Sequence, residues 1–497
     1  MDVSPRFEIG QTILKDLWVD PVSGQDDRSG DSKAQALRTV DAAWQKIPER
    51  TAGHGWRVLL CPGKYAPNQS GQVVLEHRQG SAACPIMLQA TEGPLSLDLP
   101  ALNFRFCRFV YLLDLHIRAS ANAQVPGNQD IVLHFADSQD LLIRGVTATG
   151  YSEAGGKLPQ LVFKANQCLR VYIEDCDFSG AEGNTIDYVA VQYGHIVRNR
   201  LHDVQAECMY VKGGSAYHLI AGNEMFNSVN HGLLAGQGTG FAYMVSPWLH
   251  YEAYDIKAVN NVIHDCGGGV ATTGGYNILL AWNTCYRVGT SRDVIVVGLG
   301  GRGWTAHDVP GCERRLAEGG WCDPSSEIGH SIPCRNVVIA NNVILNPEGF
   351  ESRFAHFGIS GPVATPARSN LPSPARADEN LVIHGNVIWN GPLEKPLLDD
   401  CENVYHLAAR PTFNAEELRR HNVINMLRPD LLDPERGDFR PKPGGNLYKV
   451  KTTAIRDFDW SDAPSRPPVP PGSPDNQALL DRAGKPRTAH SPPGAFV

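Results

Sequence analysis

Asn184 to Gln237 reads NTIDYVAVQYGHIVRNRLHDVQAECMYVKGGSAYHLIAGNEMFNSVNHGLLAGQ. Twice in this stretch a short β-branched run meets a Gly-containing turn, and a second apolar run then ends in Ile-x-x-Asn, at Ile196 to Asn199 and at Ile220 to Asn223. Self-similarity at a period of roughly two dozen residues marks a solenoid, in which each unit stacks on copies of itself to bury a face it cannot bury alone. The same stretch holds Asp187, Glu207, Lys212 and His231 at comparable places in successive repeats, so fold and chemistry are read from the same residues.

Working outward, the runs PIMLQAT, FVYLLDLHI, DLLIRGVTAT, LRVYIEDCDFS, DIKAVNNVIHD, NILLAWNTCY, NVVIANNVIL and NLVIHGNVIW continue the pattern. Aligned, they place Val146, Cys176, Asn199, Asn223, Asn261, Asn283, Asn342 and Asn386 in one column. Stacked asparagines suit tight turns between strands, because the side chain bonds neighbouring backbone and tolerates left-handed torsion angles. The column is therefore structural, and His264 and Asp265 beside it are assigned to the same role.

Longer intervals mark insertions near 237–253, 299–334 and 347–379. Each is expected to follow the strand before the Asn-bearing one, so that all three leave from one side and wall a groove. The first carries Phe241, Tyr243, Trp248 and Tyr251, which either cover another loop or offer platforms for sugar rings. The second carries Arg302, Trp304, His307, Arg314 and Arg315 in an otherwise acidic chain. Its Cys312 and Cys322, with Cys334, could form a disulfide, whereas the other cysteines of the repeats read as buried thiols.

A chain of 497 residues exceeds one ordinary globular core, but a solenoid grows in one dimension and escapes that limit. The 49 glycines and 35 prolines fit turn-rich β structure. A net charge of -8 argues against a broad nucleic-acid footprint. No apolar run is long enough to span a membrane. The opening residues lack a basic-then-apolar leader pattern, so the protein is expected either to stay in the cell or to be a secreted or periplasmic protein whose signal is absent from this sequence.

Residues 16 to 67 add a resemblance. The order Val-Asp-Pro-x-Ser-Gly-x-Asp from Val19, a Thr-Val-x-Ala-Ala helix from Thr39 with Ala34, Leu37, Val40, Ala43 and Trp44 on one face, and Pro-Gly-x-Tyr ending at Tyr65 resemble the first segment of secreted right-handed parallel β-helix proteins of the pectate-lyase type. That resemblance implies an all-β, right-handed parallel β-helix whose open end is capped by the helix. Segment 1–84 is then the N-terminal segment with the capping helix and the first strands, 85–395 the β-helix, and 396–497 the closing segment with a Pro-rich tail. Within the last, 429–446 resembles the closing segment of bacterial β-helix proteins, and 463–497 reads as an extended, weakly ordered tail.

In a parallel coil each turn advances about 4.8 Å, so matched positions of adjacent coils reach one ligand. Strands 187–192, 208–213, 231–237, 268–274 and 293–300 are expected to form one sheet. Lys212 lies in it between strand and glycines, Tyr210 shares its face, and His231 is expected close above it; as catalytic candidates beside Lys212, Tyr210 or His231 could deliver or take a proton. Glu207 and Asp187 begin consecutive strands and could bind a divalent cation, act as the acid and base of glycoside hydrolysis, or cap turns.

Glu207-x-x-x-x-Lys212 is similar to the chondroitinase-B and alginate lyase family. The resemblance implies Lys212 as the base that removes the proton beside a uronate carboxylate, and Glu207 as a calcium ligand, with Asp187 as a second metal candidate. The family's serine after the lysine is replaced by Gly213, and no arginine stands one coil on, where His231 and Gln237 are found. Gln237, Tyr243, Trp248, Tyr251, Arg292, Arg302, Trp304 and His307 complete the expected substrate-binding set. The expected activity is β-elimination on an acidic uronate-containing polysaccharide by a monomer with a possible calcium ion; glycoside hydrolysis by Asp187 and Glu207, uronate epimerisation and non-catalytic glycan binding stay open.

Overall fold

The computed structural model describes residues 5–67, 71–120, 130–152, 156–324, 329–398, 414–458, 476 and 478–497. Two compact units divide them: Pro5–Asp187 with Gly194–Gln205, and Tyr188–Tyr193 with Ala206–Val497.

In the first unit the chain winds through three parallel sheets. Sheet A pairs Leu14–Val19, Gly55–Leu60, Ile86–Ala90, Arg108–Leu113, Gln139–Arg144 and Leu169–Glu174 in order. Sheet B pairs His116–Ser120, Thr147–Tyr151, Asp177–Ala181 and Arg200–Val204. Sheet C pairs Gln72–Glu76, Ala101–Arg105, Ile131–Ala136 and Leu161–Asn166. This is a parallel β-helix, and parallel crossovers of this kind take the right-handed course. Pairing begins at Leu14, where the first strands of segment 1–84 already join sheet A.

The period-two alternation turns Phe104, Phe135 and Phe163 inward, where the rings of Phe104 and Phe135 stack at 4.6 Å. The capping helix is Val40–Lys46, shorter than the apolar face implied, because Lys33–Gln35 forms a separate 3-10 turn. Thr39 caps it through the Ala42 N–H, and Trp44 is buried with its indole N–H on the Glu76 carbonyl. The segment at Phe7 is tied down by buried Glu174, which accepts from the Phe7 N–H and from Arg144 and His195.

The second unit repeats the three-sheet plan. Sheet A holds Ser215–Ala221, Ala253–Val259, Gly275–Ala281, Arg335–Ala340 and Val382–His384, and its buried row runs Ile220, Ala258, Leu280, Ile339, Ile383. Long strands Glu224–Gly236 and Val262–Thr273 bend from sheet B into sheet C. Sheet C continues through Met209–Lys212, Ile295–Gly298 and Phe357–Ile359.

The asparagine column is a hydrogen-bonded ladder. Asn261, Asn283, Asn342, Asn386 and Asn422 each accept through Oδ1 from the backbone N–H of the asparagine one coil before, starting at Asn223. The left-handed torsion falls on the preceding residue instead: Gly222, Asn260, Trp282, Asn341 and Gly385 all have positive φ. The ladder asparagine thus serves the turn by bonding, while its neighbour supplies the bend. Asn346, Asn390 and Asn425 form a second, shorter ladder that the sequence alignment did not single out.

Insertion 347–379 does not leave from the expected side as one piece. It starts after the sheet B strand Val343–Leu345 and contains the sheet C strand Phe357–Ile359, so it is two loops on one coil. The closing segment packs Leu431, Phe439 and Leu447 against Val262, Tyr286, Val343 and Val387. The tail differs from the expectation of weak order where it is described, since Ala495 is buried, Arg482 donates to the Asn223 carbonyl and Arg487 to Asn260 Oδ1. Arg487 also lies over the Trp282 ring at 4.2 Å. The described cysteines are free thiols, Cys312, Cys322 and Cys334 among them.

Candidate active site

In strand Met209–Lys212, Met209 and Val211 are buried in the core, which turns Tyr210 and Lys212 outward. The Lys212 ammonium lies 4.3 Å from the centre of the Tyr210 ring. It donates to Gln237 Oε1 at 2.6 Å. Gly213 and Gly214 then take positive φ, 66° and 81°, and a Cβ on Gly214 would stand 2.2 Å from the Trp248 carbonyl oxygen. Glycine after the lysine is therefore required by the turn and by the loop packed on it.

Register separates Lys212 from His231. Met209 pairs with Leu233 and Val211 with Ala235, so Lys212 faces Gly236, and His231 lies five residues back along the strand. At about 3.3 Å per residue that is roughly 16 Å. His231 is buried, its side chain lies against Gly268, and Nε2 has no hydrogen-bond partner. Burial, with the nearby Arg292 charge, pushes it down to about 3, so it is neutral at ordinary pH. The expected placement above Lys212 is replaced by Gln237.

Beneath the lysine turn sits a residue the sequence reading did not single out. Glu252 is fully buried and takes the Arg302 Nε at 2.9 Å and Nη2 at 2.6 Å on Oε1. Its Oε2 accepts from the Gly213 N–H at 3.1 Å and from Thr239 Oγ1 at 2.6 Å. Arg302 also donates to the carbonyls of Leu249, His250 and Trp321. Its guanidinium is thus spent inside the protein, contrary to its expected place on substrate. The available signal was a lone carboxylate closing the aromatic loop GTGFAYMVSPWLHYE.

The first two insertions fold on each other. Gly238–Gly240 pairs in parallel with Gly300–Gly303, which pairs antiparallel with Gly329–Ile332. Phe241, Met244 and Leu249 pack with Cys312 and Cys322, and Trp304 rests half-buried on that cluster. Trp248 and Tyr251 are not open platforms. They are buried among Tyr217, Tyr254 and Tyr276, with Tyr251 stacked on Tyr276 at 4.8 Å. Tyr243 is exposed and its hydroxyl pairs with His307 Nε2 at 2.7 Å. Arg292 is exposed beside His231.

Glu207 is buried at the start of the Lys212 strand. Asp187 belongs to the other unit, where Lys164 Nζ is 3.5 Å from its Oδ2 and its Oδ1 is buried without a partner. Among the described residues no three His, Cys, Asp or Glu side chains gather as a metal site requires. His264 lies between Glu224 and Asp265 on sheet B; burial opposes its charge, but these two carboxylates outweigh it and raise it to about 9.

No family model matches the chain, and no curated protein is matched either. Solved structures resemble it loosely. XylC, solved in complex with xylose, is 10% identical with a TM-score of 0.46, over 97% of this chain and 98% of that one. The mannuronan C-5 epimerase AlgE4 A-module of Azotobacter vinelandii is 13% identical with a TM-score of 0.45, over 80% of this chain and 100% of that one. Pectate lyase Pel9A is 12% identical with a TM-score of 0.43, over 95% and 97%. The parallel β-helix assignment stands on the strand register itself. No helix among the described residues is long and apolar enough to cross a membrane.

Proposed function

We propose that the protein is a polysaccharide lyase that cleaves an acidic, uronate-containing glycan by β-elimination, with Lys212 as the base. One observation carries this reading: a lysine on the outward face of a parallel sheet, beside the Tyr210 ring and the Gln237 amide, on a two-glycine turn fixed by the loop packed on it. Gln237 and Tyr210 orient the amine.

In the elimination the Lys212 amine takes the proton from C5 of the uronate. The electron pair forms the C4–C5 double bond, the C4–O bond breaks, and the leaving oxygen gains a proton from the Tyr210 hydroxyl or solvent. The adjacent carboxylate must be neutralised for this proton to leave. A calcium ion held by Glu207 and Asp187 was one expectation for that task, but calcium prefers six to eight oxygen ligands and these two do not form part of a larger acidic set among the described residues. No step is routed through it. Tyr243 and His307, exposed on the folded insertions of the same unit, are proposed to contact the glycan, which is expected to be met outside the cytoplasm.

The test is ultraviolet absorbance of the conjugated product on alginate, pectate, heparinoid and chondroitin-type polymers, with calcium and with chelator. A signal that falls roughly 10²–10⁴-fold in Lys212→Ala supports the reading. New reducing ends without absorbance would move the activity to hydrolysis by carboxylates. Solvent hydrogen entering C5 without chain cleavage would make it an epimerase, and silence in all three assays would leave a glycan-binding protein.

A further inference from the structure

Sheet C of the first unit carries a polar outer face that the lyase reading does not use. Its inward side is settled by the phenylalanine stack, so the alternate residues point out. Asn103, His134 and Lys164 are in direct register on three successive coils, and Arg105, Ala136 and Asn166 form the row beside them. At the end of these rows His77 and Phe106, both exposed, stack with ring centres 5.0 Å apart and 14° between planes.

The hydrogen-bonding capacity of this strip is incompletely used inside the protein. His134 Nε2 is 2.7 Å from Asn166 Oδ1, which can only accept, so the ring proton sits on Nε2 and Nδ1 is left as an acceptor. Burial keeps this histidine uncharged, pushing it down to about 4. Asn166 presents its amide hydrogens and Lys164 its ammonium as donors. The face therefore offers both acceptors and donors, as hydroxyl groups require.

Its charges are already balanced. Lys164 faces Asp187 at 3.5 Å, and Arg105 faces Glu76 at 3.5 Å with the exposed Asp137 also in its field. A polyanion gains little on such a surface, while a neutral polyhydroxyl chain meets no uncompensated charge. The coil spacing of about 4.8 Å is close to the advance of one pyranose ring along an extended β-linked chain, and the His77–Phe106 pair offers an aromatic edge and face for a terminal ring.

We infer that this strip, centred on His134, Lys164 and Asn166 and ended by Phe106, is a binding site for an extended neutral oligosaccharide. It does not rest on the lyase reading.

The test uses the full chain carrying Lys212→Ala, so that no turnover confuses binding. Calorimetric titration with neutral β-linked gluco-, xylo- and manno-oligosaccharides of increasing length is compared with an oligouronate. At least one neutral series should bind, more tightly as length grows to about three rings. Asn166→Ala with His134→Ala should weaken it roughly tenfold, the loss expected of two hydrogen bonds. Phe106→Asn, which tolerates the positive φ of 55° there, should weaken it as well. Unchanged melting curves would show that the variants are folded. Absence of heat with every neutral series, binding indifferent to these substitutions, or preference for the oligouronate would each overturn the proposal.

Discussion

Glu252→Ala tests whether the folded insertions hang on one buried ion pair. The substitution leaves Arg302, 1% exposed, without its counter-charge, and removes the acceptor for the Gly213 N–H and Thr239 hydroxyl. Breaking a buried pair from one side costs about 3–5 kcal/mol, and each orphaned neutral donor adds roughly 1 kcal/mol. Arg302 keeps three carbonyl partners, on Leu249, His250 and Trp321, which pulls the sum back to about 3–5 kcal/mol. Urea titration followed by tryptophan fluorescence suits the measurement, because Trp248, Trp304 and Trp321 all lie in or against these insertions. The control is the double variant Glu252→Leu with Arg302→Met. Replacing both charges by apolar groups should cost much less than the sum of the single changes, since neither charge is then stranded. A loss under about 1 kcal/mol for Glu252→Ala, or single costs that simply add, would refute the argument.

Two further outcomes follow from the fold. Asn283→Ala removes an acceptor for the Asn261 N–H and Nδ2 and a donor to the Ala258 carbonyl and Asn342 Oδ1, all buried. It should cost about 3 kcal/mol or more by chemical denaturation, and a cost near that of a surface change would deny the ladder its structural role. At Glu174 burial opposes the charge, but the hydrogen bonds from His195, the Phe7 N–H and Arg144 outweigh it and lower the carboxyl from 4.5 to about 2. Because the folded value lies below the unfolded one, the stabilisation, up to about 3 kcal/mol, is present above pH 4.5 and lost as pH falls towards 2. The stability gap between the wild type and Glu174→Gln should close over that window; a gap that stays constant would count against it.

The sequence by itself determined the coil. Apolar runs of period two, a repeated Asn before each sheet B strand and the capped start at Thr39 are all local signals, set by side-chain alternation and backbone torsion, and they specify a parallel β-helix with its asparagine ladder. The lysine with its glycines was legible for the same reason: Gly213 and Gly214 announce a turn wherever they occur. What tertiary structure decided was register and burial. Gln237 rather than His231 meets Lys212 because the pairing of Met209 with Leu233 sets the next coil's offset, and nothing local fixes that offset. Trp248, Tyr251 and Arg302 looked like ligand contacts because aromatic and basic residues in long insertions ordinarily face solvent. Here Gly238–Gly240 and Gly300–Gly303, some sixty residues apart, pair and enclose them. Which side chains remain for a substrate is thus a property of long-range contacts, and those depend on the whole chain being wound.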